Sequence, residues 1–136
     1  MGNRDDMPSG VLLTSDPAAN TEISITTDYD YKVNLIRIPF VTDANAANRT
    51  VTLKITEAAL GSVIYEIPIS AVITANTTAT IMFGEGLPYT DVGDVRMVPL
   101  PHGLKLPRGA IIETVTTSIQ ATDNFGAAVL FVDKLT

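Results

Sequence analysis

Arg49-Thr50-Val51-Thr52-Leu53-Lys54-Ile55-Thr56-Glu57 alternates polar and apolar residues without a break. Successive side chains of an extended strand point to opposite faces, so Val51, Leu53 and Ile55 share one face and Thr52, Lys54 and Thr56 the other. A helix would scatter the same residues around its circumference and leave no apolar stripe. The stretch therefore reads as a strand with one buried face.

The same style recurs on both sides. Residues 22–27 place Ile23 and Ile25 on one face. Residues 31–40 place Asn34, Ile36, Ile38 and Phe40 on one face and Val33, Leu35 and Arg37 on the other. Residues 62–67 and 71–74 read as strands divided near Pro68, a residue tolerated at an edge or a bend. Residues 77–83 follow. Residues 95–98 end at Pro99, and residues 104–106 lie between Gly103 and Pro107. In residues 109–117, Ile111, Glu113 and Val115 oppose Ile112, Thr114 and Thr116. Residues 127–133 are apolar on both faces, which suits a central strand or one covered by a partner. The one helical candidate, residues 56–60, is a single turn. About eight to ten short antiparallel strands over residues 21–136 predict an all-β domain, a jelly-roll or Greek-key β-sandwich.

Residues 1–20 have no clean period. Met7-Pro8-Ser9-Gly10 and Ser15-Asp16-Pro17 bracket the apolar patch Val11-Leu12-Leu13. This reads as an extended N-terminal arm. Twenty extended residues reach roughly 60–70 Å, against a radius of gyration of about 14 Å for a globule of this length. Met7, Val11, Leu12 and Leu13 are its candidate partner-binding residues, because a solvated tail gains nothing from an apolar patch.

The composition narrows the function. The chain has 136 residues, net charge −6 and nine Lys plus Arg, which disfavours phosphate neutralisation and so nucleic acid. An anionic membrane surface is disfavoured on the same ground. Met1-Gly2-Asn3-Arg4-Asp5-Asp6 is polar and does not read as a secretion signal. The long uncharged run, residues 67–84, contains Pro68 and Asn76 and does not read as a membrane span. Zero Cys excludes a thiol nucleophile and Cys-type metal sites. With 18 Thr and only 18% charged residues, the solvent-facing sheet is expected to be neutral or covered by other protein.

No catalytic set emerges, and neither a cofactor nor a metal is expected. His102 is the single His and sits in the turn Pro101-His102-Gly103, with neither nucleophile nor orienting acid beside it. Asp5 and Asp6, Asp28 and Asp30, and Asp91 and Asp94 form acidic pairs, but none has the alternating ligands of a calcium loop. Phe83-Gly84-Glu85-Gly86-Leu87-Pro88-Tyr89 lacks the Lys-Ser/Thr of a phosphate loop and reads as a wide hairpin, with Leu87 and Tyr89 as possible loop contacts. Asn48-Arg49-Thr50 and Asn76-Thr77-Thr78 read as chance glycosylation matches.

The C-terminal third carries a resemblance. Leu100-Pro101-His102-Gly103-Leu104-Lys105-Leu106-Pro107-Arg108-Gly109-Ala110-Ile111-Ile112 gives a short strand, a Pro-Gly turn and a long strand. It continues to Thr122-Asp123-Asn124-Phe125-Gly126-Ala127-Ala128 and a last apolar strand. Together with Ile36-Arg37-Ile38-Pro39-Phe40, this resembles the small jelly-roll virion proteins of tailed bacteriophages, including capsid decoration or cement proteins. The resemblance spans residues 22–136 and assigns no functional residue. It implies a non-enzymatic protein on the capsid surface of a virion, often a homotrimer, that bridges major capsid protein subunits. Three other readings stay open. One is a tail or fibre module that binds a receptor or carbohydrate, with tyrosines in place of the missing Trp. The second is a head–tail connector. The third is a hydrolase on a β-sandwich.

Overall fold

The computed structural model describes residues 9–57 and 61–135, with residues 9–14 described by their backbone alone. Twelve strands form two sheets, and no helix occurs among the described residues. The larger sheet holds β1 (Ser9–Ser15), β3 (Asp30–Val41), β6 (Thr78–Glu85), β7 (Thr90–Val92), β8 (Val95–Leu100), β9 (Lys105–Leu106), β11 (Asn124–Phe125) and β12 (Ala128–Leu135). The smaller holds β2 (Ser24–Thr26), β4 (Thr50–Thr56), β5 (Val63–Pro68) and β10 (Ile111–Thr117). The larger sheet runs β1-β12-β3-β6-β8-β7, with β9 and β11 on further stretches of β3; the smaller runs β2-β10-β4-β5. The chain changes sheet between β1 and β2, β2 and β3, β3 and β4, and β5 and β6, and again on either side of β10. Such crossings make a Greek-key, jelly-roll sandwich, as the strand pattern predicts.

The deciding stretch becomes β4, and its alternation is realised in full. Val51, Leu53 and Ile55 are buried, while Thr50, Thr52, Lys54 and Thr56 are half-buried on the far face. Opposite them, β3 contributes Ile36, Ile38 and Phe40, and β12 contributes Ala128, Leu130 and Val132. Each Leu, Ile or Val so buried contributes about 1.5–3 kcal/mol before its ordering cost.

Five features depart from the sequence reading. The strand count exceeds eight to ten because β1, β7 and β11 lie outside the expected strands, and β7 and β11 have only two or three residues, too few to display a period. One pair, β6 and β8, is parallel. The returning chain lays β7 outside and slots β8 between β7 and β6. Val33 is buried with Ile36 rather than facing away from it. Leu35 pairs with Phe131 and Val33 with the next residue, Val132, so Asn34 is an extra residue in β3. A one-residue bulge exchanges the faces of the strand on either side of it. Residues 71–74 form no strand; Ile73 makes only an isolated bridge to Arg49. Finally, within residues 1–20, Ser9–Ser15 lies as the edge strand β1, antiparallel to β12. Residues 58–60, part of the expected helical turn, lie outside the described residues.

Candidate functional site

Polar chemistry first. The most buried charges form one cluster at an end of the sandwich. Arg49, at the start of β4, is fully buried, and so is Asp123. The Arg49 guanidinium donates from Nε to Asp123 Oδ2 at 2.9 Å and from Nη2 to Asp123 Oδ1 at 3.0 Å. Nη2 also donates to Asp43 Oδ1 at 2.8 Å, and Nη1 to the Ala47 carbonyl at 2.7 Å. Asp123 accepts the N–H groups of Asp43 and Gln120 as well. Asp43 accepts from the Thr122 N–H and hydroxyl and from Asn45. Every carboxylate oxygen is satisfied within the protein, which leaves nothing for a substrate or a cation. The cluster ties the β3–β4 loop to the β10–β11 loop and so joins the two sheets.

The sequence reading missed this centre, because Arg49 reads as a polar residue flanking a strand. A usable signal existed: Thr42-Asp43-Ala44-Asn45 and Thr122-Asp123-Asn124 are similar Asx-rich loops. Arg96 is also buried, and it caps the carbonyls of Ala71, Gly93 and Val72.

The acids singled out in the sequence are placed apart. Asp28 accepts the Tyr31 hydroxyl, while Asp30 accepts the Arg108 N–H. Asp91 and Asp94 are exposed on the β7–β8 hairpin. Asp5 and Asp6 lie outside the described residues. His102 is exposed in its turn, with Nδ1 3.3 Å from Glu85 Oε2. Glu85 itself accepts the Gly103 N–H. No group of three or more metal-ligating side chains occurs among the described residues.

These contacts set a pH dependence. The Gly103 N–H holds the Glu85 carboxyl below its ordinary range, and the Tyr31 hydroxyl does the same for Asp28. Burial alone would raise Asp43, but hydrogen bonds from Thr122 and Asn45 outweigh it and lower it. For all three the unfolded chain binds more protons in acid, so stability rises with pH there. Their contribution is full above the ordinary carboxylate range and is lost as pH falls through the lowered values. Tyr31 goes the other way: burial first, then the Asp28 contact, pushes it up to about 12. Its contribution is full below the ordinary tyrosine value of about 10 and is lost as pH rises toward the raised one. Urea midpoints measured against pH should be level between about pH 5 and 9 and fall on both sides. A midpoint that rises below pH 4 would contradict these assignments.

The remaining candidate is a surface. On the outer side of the larger sheet, register sets Val129, Arg37, Met82 and Met97 in one row across β12, β3, β6 and β8. Phe131, Leu35, Gly84 and Pro99 form the next row. Pro39, Thr80, Val95 and Val92 form the row on the other side. Phe131 is 39% exposed and Val92 62%. Scattered exposed apolar residues are ordinary, whereas contiguous apolar rows mark a surface that another protein covers. The outer face of the smaller sheet differs. There Thr50, Thr52 and Thr56 stand in register with Thr117, Val115 and Ile111, with Lys54 in register between Glu113 and Glu66 and Val63 beside Thr56. Thr is frequent on this face, which also carries charged Lys54, Glu66 and Glu113 and the exposed Val63 and Val115.

Of the residues singled out as contacts, Met7 lies outside the described residues. Val11, Leu12 and Leu13 are in β1, in register with Val132, Phe131 and Leu130. Leu87 is half-buried beside Gly84, where an added Cβ would come within 2.9 Å of Leu87 Cδ1. Tyr89 is half exposed, and its hydroxyl donates to the Pro68 carbonyl at 2.9 Å. It thereby ties the β6–β7 loop to the smaller sheet.

Fold and surface together define a β-sandwich whose candidate site is the largely apolar outer face of its larger sheet. No protein-family model matches the chain, and no curated protein matches it. Among solved structures, a chain of the T13 particle of infectious bursal disease virus is 18% identical, with TM-score 0.39, over 94% of this chain and 28% of that one. A mutant VP2 protein of the same virus, in T=1 particles, is 12% identical with TM-score 0.42, over 94% of this chain and 30% of that one. The 2.6 Å structure of T=1 particles derived from that virus gives 13% identity and TM-score 0.42, again over 94% and 30%. The chain thus spans less than a third of the length of these viral chains.

Proposed function

We propose that the protein is a structural virion component, a capsid decoration or cement protein that binds the outer capsid surface and stabilises contacts between major capsid protein subunits. The observation that carries this reading is the largely apolar outer face of the larger sheet, in a molecule whose buried charges, among the described residues, hold its loops together. Such a surface serves assembly rather than turnover, and we read the protein as a non-enzyme. The resemblance of residues 22–136 to jelly-roll virion proteins supplies the setting.

The two outer faces divide the work. Interfaces between copies of one chain are more apolar than interfaces that form and separate. The apolar face therefore suits self-association, in keeping with a homotrimer, and the Thr-rich face suits the capsid. The segment with Met7, Val11, Leu12 and Leu13 is a further anchor in this proposal, and the loop with Leu87 and Tyr89 a further contact. A cement protein adds buried area at many equivalent junctions, so modest affinity per site stabilises the whole shell.

The test is whether a major capsid protein is encoded beside this chain and, with particles assembled from it, how fully this protein occupies them. Thr52→Arg with Val115→Arg places two charges in the middle of the Thr-rich face. Occupancy should fall at least about tenfold, since uncompensated interfacial charge is costly, while the circular dichroism spectrum stays unchanged. Full occupancy by the variant, or none by the wild type, would remove the capsid reading.

A further inference from the structure

Arg37 is the exposed feature that the fold itself does not use. It stands in the middle of the apolar face, in register between Val129 on β12 and Met82 on β6. It forms no ion pair among the described residues. Anything that covers this face strips water from the guanidinium, and a desolvated charge without a partner opposes the contact. The covering surface must therefore be apolar and bring a carboxylate.

The same molecule carries such a surface at the far edge of the sheet. Val92, on the β7–β8 hairpin, is 62% exposed, more than any other large apolar residue described. Asp94 stands near it in the turn and is exposed, whereas Asp91, in register with Arg96, lies on the opposite face of the strand. The hairpin is well held. Gly93 has φ +59°, the left-handed conformation required at the first position of this two-residue turn. The Asp94 carbonyl accepts the Thr80 N–H at 3.0 Å. The tip is thus a fixed apolar knob beside the Asp94 carboxylate.

We propose that the apolar face of one copy receives the β7–β8 hairpin of a second copy. Val92 then packs on the row around Val129 and Met82, and Asp94 neutralises Arg37. A symmetric face-to-face dimer is the weaker arrangement. A two-fold axis through the middle of the face sets Arg37 against its own copy, and like charges meeting across an interface oppose it. A hairpin-to-face contact closes either reciprocally about an offset two-fold axis or head-to-tail into a ring. The proposal rests on the reading above only in taking the apolar face as covered by protein.

Native mass spectrometry and sedimentation of the purified full chain test it without any capsid. The wild type should form one discrete oligomer at micromolar concentration. Arg37→Glu should weaken it by about 30-fold or more and yield folded monomer with an unchanged circular dichroism spectrum. Adding Asp94→Arg to that variant should restore the oligomer. Monomeric wild type, an oligomer indifferent to Arg37→Glu, or failure of the charge-swapped variant to reassemble would each overturn it. Oligomer formation without particle binding would sink the capsid reading alone, and a monomer that still decorates particles would sink this one alone.

Discussion

Asp123→Ala is expected to destabilise the protein by about 3–5 kcal/mol, because it leaves the fully buried Arg49 without its bidentate partner. For a domain of this size that is a fall in Tm of roughly 10–20 °C. The loss is not confined to the ion pair. The Asp43 and Gln120 N–H groups also lose their acceptor, and a buried donor left unpaired costs about 1–3 kcal/mol. Asp43 remains against Arg49 at 2.8 Å, so the cation is not wholly stranded and the variant should still fold. A second variant separates charge from packing. Arg49→Met with Asp123→Ala should cost less than the two single changes added together, since each single change strands the other's partner. Urea melts of the three variants give the comparison. Simple additivity would mean that the cluster does not act as one unit.

Phe125→Ala should cost a similar amount, about 3–5 kcal/mol, by a different route. Phe125 is fully buried and stacks on Phe40 with ring centroids 4.2 Å apart and planes 22° from parallel. It belongs to the two-residue strand β11, held to β3 by the pairs Asn124 with Val41 and Phe125 with Phe40. So short a strand has little else to hold it. The loss should therefore also loosen the neighbouring Asp123 loop, which joins the sheets. Hydrogen exchange at Gln120, Asp123 and Gly126 should rise well above that at β4. Protection that stays uniform across both regions would show that β11 does not depend on its aromatic anchor.

These two expectations fall on residues that a linear reading treats very differently. Phe125 is apolar, so burial is its default, but its stack on Phe40 joins residues 85 positions apart in the chain, a pairing no local pattern contains. Arg49 and Asp123 are polar residues beside turns, and the default for both is solvent. Only the crossing of the chain between sheets brings the Asp43 and Asp123 loops around one guanidinium. Of the candidate surface, the residues were visible and the surface was not. Residues 127–133 read as apolar on both faces, and β12 does set Val129 and Phe131 outward. That they join Leu35, Met82 and Met97 follows from strand order, which the sequence leaves open.

The alternation in residues 49–57 and its repeats along the chain were enough to establish the all-β class, because a period of two is a local property of an extended backbone. Composition likewise pointed to a Thr-rich face. Strand order, the parallel β6–β8 pair, the bulge that turns Val33 inward and the buried Arg49 cluster were decided by tertiary structure. Each depends on which distant strands pair and in what register, and pairing energy is shared between segments rather than written in either one.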